Sequence, residues 1–198
     1  MNLDDYRRFF IAGSLVLMLF AASPTLGLVV RLPTGAESFS EFWVLGPNHM
    51  AEDYPFNIQI NKSYTVFVGV GNQMGVSSYY LLYVKFRNQT QLPPNATVSE
   101  PSPLQQLYES RAFVADGGNW EVPMTFRILE VSRYDDSVHV SRMSINDAVL
   151  VADASAKWDS EYRGFYYQLF FELWLFNTKL QSFQFHDRFV EIWLNMTG

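Results

Sequence analysis

The feature that most constrains this chain is an alternation of apolar and polar residues with period two, repeated in separate segments between Phe42 and Met196. In residues 165–175, Phe165, Tyr167, Leu169, Phe171, Leu173 and Leu175 are apolar while Gln168 and Glu172 stand between them. Successive side chains of a strand point to opposite faces, so such a run offers one face to a core. The same rhythm occurs in Phe56, Ile58 and Ile60; in Tyr64, Val66, Val68 and Val70; and in Tyr80, Leu82, Val84 and Phe86. It returns in Val122, Met124, Phe126 and Ile128, and in Val190, Ile192, Leu194 and Met196. With a short strand at 42–45 these segments predict about seven antiparallel strands, and hence a mainly β chain folded as a β-sandwich.

Two stretches break the rhythm. Residues 91–103 (QLPPNATVSEPSP) are rich in proline and polar residues and predict an exposed loop. Residues 132–163 predict an irregular insertion with a helical piece at 144–158, where Ser144 and Asp147 resemble a capping box. No repeat at a fixed period is present, and 198 residues allow one domain or one domain plus an appendage.

The appendage is N-terminal. Residues 9–30 (FFIAGSLVLMLFAASPTLGLVV) carry no charge and as a helix would extend about 33 Å, enough for a bilayer core. The expected organisation is a short cytoplasmic tail and one transmembrane anchor over 1–31, a linker over 32–40, and an external domain over 41–198. The expected location is the cell membrane, single-pass, with the C-terminal domain on the extracytoplasmic side. A cleaved signal peptide is the competing reading, with small residues at Ala21-Ala22-Ser23; Pro24 directly after them and the length of the apolar run oppose it.

Composition removes several function classes. The net charge of -6, without a basic tract, excludes the electrostatic footprint of a nucleic-acid binder. The absence of cysteine excludes disulfides, thiolate metal sites and cysteine nucleophiles. Aromatic residues make up 17% of the chain, more than one core needs. Tyr166, Phe170 and Trp174 lie on the second face of the 165–175 strand, and with Trp193 they form the candidate interaction set. Three occupants of that face are open: the 132–163 insertion, a protein partner, and carbohydrate, in that order.

Residues 40–60 (SEFWVLGPNHMAEDYPFNIQI) lead into the strand–turn–strand 64–86. Glu41, Phe42, Trp43, Leu45, Gly46, Pro47, Ala51, Glu52, Asp53, Tyr54 and Pro55 carry a pattern, continued by Val68, Gly69, Val70 and Asn72, then by Asn119-Trp120 and the 188–198 ending. This pattern resembles the archaeal membrane-protein family called domain of unknown function 1616. The resemblance implies an archaeal envelope location and an immunoglobulin-like external domain. It brings no catalytic residues with it.

Four Asn-X-Ser/Thr sequons, at Asn61, Asn88, Asn95 and Asn195, point to N-linked glycans on an external surface. The LGPNHMAEDYP segment reads as a shaped turn; Glu52 and Asp53 alone are too few to hold a cation. The acids Asp135, Asp136, Asp147, Asp153, Asp159 and Glu161 read as a solvated acidic loop without calcium-loop spacing. His49, His139 and His186 have no zinc-site spacing, and Gly69-Val70-Gly71 leads from strand to strand and so lacks the helix N-terminus that a phosphate loop needs. No enzyme, metal or cofactor is read. The expected role is a non-enzymatic accessory or assembly subunit of an archaeal membrane or envelope complex, with the bilayer (through residues 9–30), a protein partner and N-linked glycans as its contacts. The alternative is a cell-surface module that binds glycan or another envelope ligand.

Overall fold

The computed structural model describes residues 6, 7, 9–18 and 37–196. The chain divides into two units, Met1–Glu37 and Ser38–Gly198. In the first, residues 9–18 are helical. Among the described residues no helix is long and apolar enough to cross a membrane. The expected spanning helix is therefore not found; only the first part of the 9–30 segment is described, and 19–30 lie outside the described residues.

The second unit contains ten strands among the described residues: β1 Phe39–Leu45, β2 Asn57–Ile58, β3 Tyr64–Gln73, β4 Ser78–Asn88, β5 Tyr108–Val114, β6 Asn119–Tyr134, β7 Ser137–Ile145, β8 Ala148–Lys157, β9 Tyr166–Asn177 and β10 Ser182–Met196. They form two five-stranded sheets, ordered β1-β3-β6-β7-β8 and β2-β10-β9-β4-β5. Every pairing is antiparallel except that of β2 with β10. The sheets face each other across one apolar layer. Val66, Val68, Met124, Phe126, Val140 and Met143 come from the first sheet; Leu82, Val84, Phe86, Leu169, Phe171 and Leu194 come from the second. Apart from Val140 and Met143 on β7, these are the residues that period-two alternation singled out on β3, β4, β6, β9 and β10.

The order β1-β3-β6 follows the A-B-E order of an immunoglobulin sandwich, and β10-β9-β4 follows its G-F-C order. The departure lies beyond β6. There an immunoglobulin sheet places a strand that precedes its neighbour in the chain, whereas here β7 and β8 follow it.

That departure corrects the reading of residues 132–163, which are mostly strand rather than an irregular, partly helical insertion. Asn146 and Asp147, both at positive φ (45° and 66°), form the two-residue turn between β7 and β8, so Asp147 turns a hairpin instead of capping a helix. A bulge between Val140 and Arg142 shifts the alternation of β7 by one position and hides the strand from a strict period-two count. On β8 the small Ala154 and Ala156 point inward while Val149 and Val151 face solvent. The hairpin closes one side of the interior, where the Tyr167 hydroxyl donates to Val138 O and accepts from Ala156 N at 3.2 Å. Burial pushes that hydroxyl up to about 12.

Candidate interaction surface

The inner faces of both sheets are occupied by the core, so the outer face of the second sheet is where its aromatic residues can act. Register places side chains on it in cross-strand rows. Phe183 is opposite Phe176, and on β9 Trp174 stands between Phe185 and Leu81, Phe170 between Glu191 and Lys85, and Gln168 between Trp193 and Arg87.

The middle of this face is closed by the segment between β4 and β5. Lys85 Nζ donates to Ser102 O at 2.7 Å and to Glu172 Oε1 at 3.1 Å. The same carboxylate accepts from Ser102 N at 2.8 Å and from Trp174 Nε1 at 3.1 Å. The Lys85–Glu172 ion pair is buried, its side chains 5% and 0% exposed. Nearby, Arg87 Nε donates to Gln168 Oε1, and its Nη1 donates to Gln91 O. Burial holds the Arg87 guanidinium below its ordinary pKa, with Glu191 opposing the shift. Residues 91–103 thus act as a strap bolted to buried charges, and only 95–100 form the continuous exposed stretch expected of a loop.

This arrangement sorts the four expected interaction residues. Phe170 is fully buried in the strapped region and is not a contact surface. Trp174 is half-buried, its indole N–H held by Glu172 and its ring edge-on to Tyr83 at 5.4 Å. Tyr166 and Trp193 remain together at one end of the face. With Phe56, Tyr162, Gln89 and Asp159 they line a cleft of about 430 Å³. Tyr166 Oη donates to Tyr162 O at 2.5 Å, their rings lie perpendicular at 6.5 Å, and the Arg87 guanidinium sits 5.8 Å from the Trp193 ring. Of the 132–163 segment, ranked first as the cover of this face, Asp159 and Tyr162 do reach it at the Tyr166 end, while β7 and β8 pack at the other sheet's edge and the strap covers the middle of the face.

At the opposite end lies a further aromatic row. Tyr79, Phe176 and Phe183 meet pairwise at ring-centroid distances of 5.2–6.2 Å. Phe113 stands opposite Tyr79 on edge strand β5 and is 72% exposed. The Arg111 guanidinium lies 5.6 Å from the Phe183 ring. The signal was available in the sequence as the second-face positions of β4, β5 and β9, but Phe176 and Phe183 flank the β9–β10 turn, where alternation is short.

The other candidates resolve into structure. Gly46 N donates to Met50 O at 2.7 Å, and a Cβ on Gly46 would stand 1.9 Å from Glu52 O, so the LGPNHMAEDYP segment is a tight turn that requires glycine there. His49 and Asp53 take positive φ within it, and His49 Nδ1 pairs with Glu121 Oε1 at 2.7 Å. Gly69 leaves room for the Trp43 ring. No group of three or more His, Asp or Glu side chains that could hold a metal exists among the described residues. A serine–histidine contact, missed in the sequence, joins Ser40 Oγ and His186 Nε2 at 2.9 Å. Ser40 is buried and shares its hydroxyl with Tyr80 Oη at 2.7 Å, which in turn reaches Asn72 Oδ1 at 3.1 Å. This chain of four ties the two sheets together. Burial, with Arg188 adding to it and Asp187 opposing it, holds the His186 imidazole below its ordinary pKa.

The sequons divide as well. Asn61 and Asn95 are exposed; Asn88 donates its Nδ2 to Ser155 O at 2.5 Å; Asn195 is buried and donates to Asn57 Oδ1 at 3.2 Å.

A family model described as "Domain of unknown function (DUF1616)" matches residues 33–136, which include β1 to β6. The match ends well before the 188–198 ending on which the resemblance also drew. No curated protein matches the chain. Among solved structures, the chain is similar to the CARDB domain of the PF1109 protein from Pyrococcus furiosus, crystallised with di-metal ions: 6% identity, TM-score 0.41, 81% of this chain and 89% of that one. It is also similar to part of a beta-glucosidase from Listeria innocua, at 9% identity and TM-score 0.37, over 83% of this chain but only 17% of that one.

Proposed function

Since the chain belongs to the family of domain of unknown function 1616, we propose that it is a non-enzymatic extracytoplasmic β-sandwich, held at a membrane by its N-terminal apolar segment, that serves as an accessory or assembly subunit of a membrane or envelope complex. The observation that carries this reading is the aromatic row at the β4–β5–β9–β10 end of the second sheet. Phe113, Tyr79, Phe176 and Phe183 lie side by side there, and Phe113 is 72% exposed. A row of large aromatics beside a guanidinium has the composition of a protein–protein contact core, where aromatics and arginine are enriched. The strap confines the row to one end of the face, which suits a partner that docks at the β5 edge. Mild-detergent extraction from the native membrane followed by native sizing tests this: the expected result is an assembly with defined companions that Phe113→Ser disperses. A lone species with the wild-type sequence overturns it.

A second reading rests on the other end. The cleft of Tyr166, Trp193, Tyr162 and Phe56, with Gln89 and Asp159 at hand, combines ring faces with hydrogen-bonding groups, as a sugar-binding surface does. Trp193, 41% exposed, is the residue to remove, since Trp174 is held inward. A glycan array that gives a signal lost in Trp193→Ala supports this reading, and an array without signal excludes it for the glycans tested.

A further inference from the structure

From the environments of the four sequons we infer that N-glycosylation is restricted to Asn61 and Asn95, and that Asn88 and Asn195 are structural asparagines in sequon form. The reaction joins Asn Nδ2 to the anomeric carbon of a sugar carried as a polyprenyl phosphate ester. The C–N bond forms, the sugar C–O bond to the phosphate breaks, the lipid phosphate leaves with the electron pair, and one amide proton passes to a base; nothing is oxidised or reduced. The amide nitrogen must therefore be exposed and free of a competing acceptor.

Asn61 meets these conditions. Asn61, Lys62 and Ser63 are all exposed in the connection between β2 and β3, and the Asn61 side chain makes no hydrogen bond among the described residues. Asn95 meets them too. It begins the exposed stretch 95–100 of the strap, and its Oδ1 accepts from Thr97 N at 3.1 Å, which leaves Nδ2 unpartnered among the described residues and directed by an Asx turn.

Asn88 does not. Its Nδ2 is spent on Ser155 O at 2.5 Å, and its Oδ1 accepts from Thr90 N, Thr90 Oγ1 and Gln91 N at 2.9–3.0 Å. That one side chain ties the end of β4 to edge strand β8 and starts the strap. Asn195 lies within the sheet ladder, paired with Tyr166 on one side and Asn57 on the other. Its Oδ1 presses so closely on Gly164 that a Cβ there would stand 2.2 Å away. A glycan on Asn195 requires the sheet to open, and one on Asn88 has to displace its Nδ2 from Ser155 O and with it the tie between β4 and β8.

The inference rests on the extracytoplasmic placement proposed above, and the test separates the two. Glycopeptide mass spectrometry is run on the full chain from its own cells, after intact cells have been labelled with a membrane-impermeant amine reagent that reads Lys62. The expected result is a labelled Lys62 and glycans at Asn61 and Asn95 alone, with Asn61→Gln/Asn95→Gln losing all glycan mass. A glycan at Asn88 or Asn195 overturns the inference. A labelled chain without glycan overturns it while the placement stands, and a chain with neither label nor glycan overturns both.

Discussion

Replacing Glu172 by leucine tests whether the strap is held by buried charge. In the native fold this carboxylate, 0% exposed, is the acceptor for the Lys85 ammonium, the Ser102 amide and the Trp174 indole. Glu172→Leu fills a similar volume but leaves the ammonium buried with only Ser102 O as partner. Removing one member of a buried ion pair costs about 3–5 kcal/mol, because the other charge remains without compensation. For a domain of this size each kcal/mol shifts the midpoint by about 2–4 °C, so a fall of about 6–20 °C is expected. Lys85→Met is the milder lesion, since the carboxylate keeps two N–H donors. The double variant Lys85→Met/Glu172→Leu removes both charges and leaves chiefly the Ser102 and Trp174 N–H groups to resatisfy, about 1–3 kcal/mol each where they stay dry. The reasoning therefore orders the variants: Glu172→Leu least stable, Lys85→Met better, and the double variant above the sum of the two singles. Equilibrium denaturation of the full chain gives the order, and limited proteolysis within 95–100 shows whether the strap is released. A loss below about 1 kcal/mol for Glu172→Leu, or additive single effects, would refute the account, because uncoupled losses mean the two charges do not depend on each other.

Three further outcomes follow from the fold. Gly46→Ala places a methyl group 1.9 Å from a backbone oxygen that cannot rotate away, so a loss of about 1–3 kcal/mol is expected by thermal denaturation, and an unchanged midpoint would mean the turn is not tight. Tyr167→Phe leaves Val138 O and Ala156 N without the hydroxyl they share, an expected loss of about 1–3 kcal/mol that should open the β7–β8 hairpin first in hydrogen exchange. His186 titrates lower when folded than in the unfolded chain, so the unfolded state takes up the proton first: stability is full above about pH 6.5 and declines as pH falls from there toward the folded value. Denaturation midpoints between pH 7.5 and 5.5 read that slope, which should flatten in His186→Gln; a midpoint that rises on acidification contradicts the sign.

The sandwich was legible because β3, β4, β6, β9 and β10 each have one face in the core, and alternation reports that directly. Its limit appears where burial is two-sided or where register shifts. On β9 the second face carries Gln168, Phe170 and Glu172, and all three are buried, since a polar strap with its own charge partners lies over them. A glutamate on a strand reads as solvent-facing unless its lysine partner is known, and here that partner is 87 residues away. The β7–β8 hairpin was lost for a local reason: the bulge after Val140 breaks the period, and alanine inside with valine outside reverses the expected pattern. Of the four aromatics assigned to contact, Tyr166 and Trp193 do share one cleft, Trp174 is turned inward by Glu172, and Phe170 is interior. No composition rule distinguishes these fates, because each depends on what crosses the face.

The strap also has a consequence for how the two proposed activities relate. It crosses the outer face at Lys85, Phe170 and Glu172, between the row around Phe113 and the cleft around Trp193, so the exposed aromatic area is two small patches instead of one continuous surface. A protein partner that spanned both would have to lift the strap and strip the Lys85–Glu172 pair of its Ser102 bonds, at about 1–3 kcal/mol for each buried group left without a partner. Engagement at one end is the less costly arrangement, and it makes the two readings separable by mutation. If the Phe113 row holds the partner, Phe113→Ser disperses the assembly while Trp193→Ala leaves its size unchanged. If both substitutions disperse it, the partner covers the whole face, and Glu172→Leu, which loosens the strap, should then strengthen association instead of weakening it.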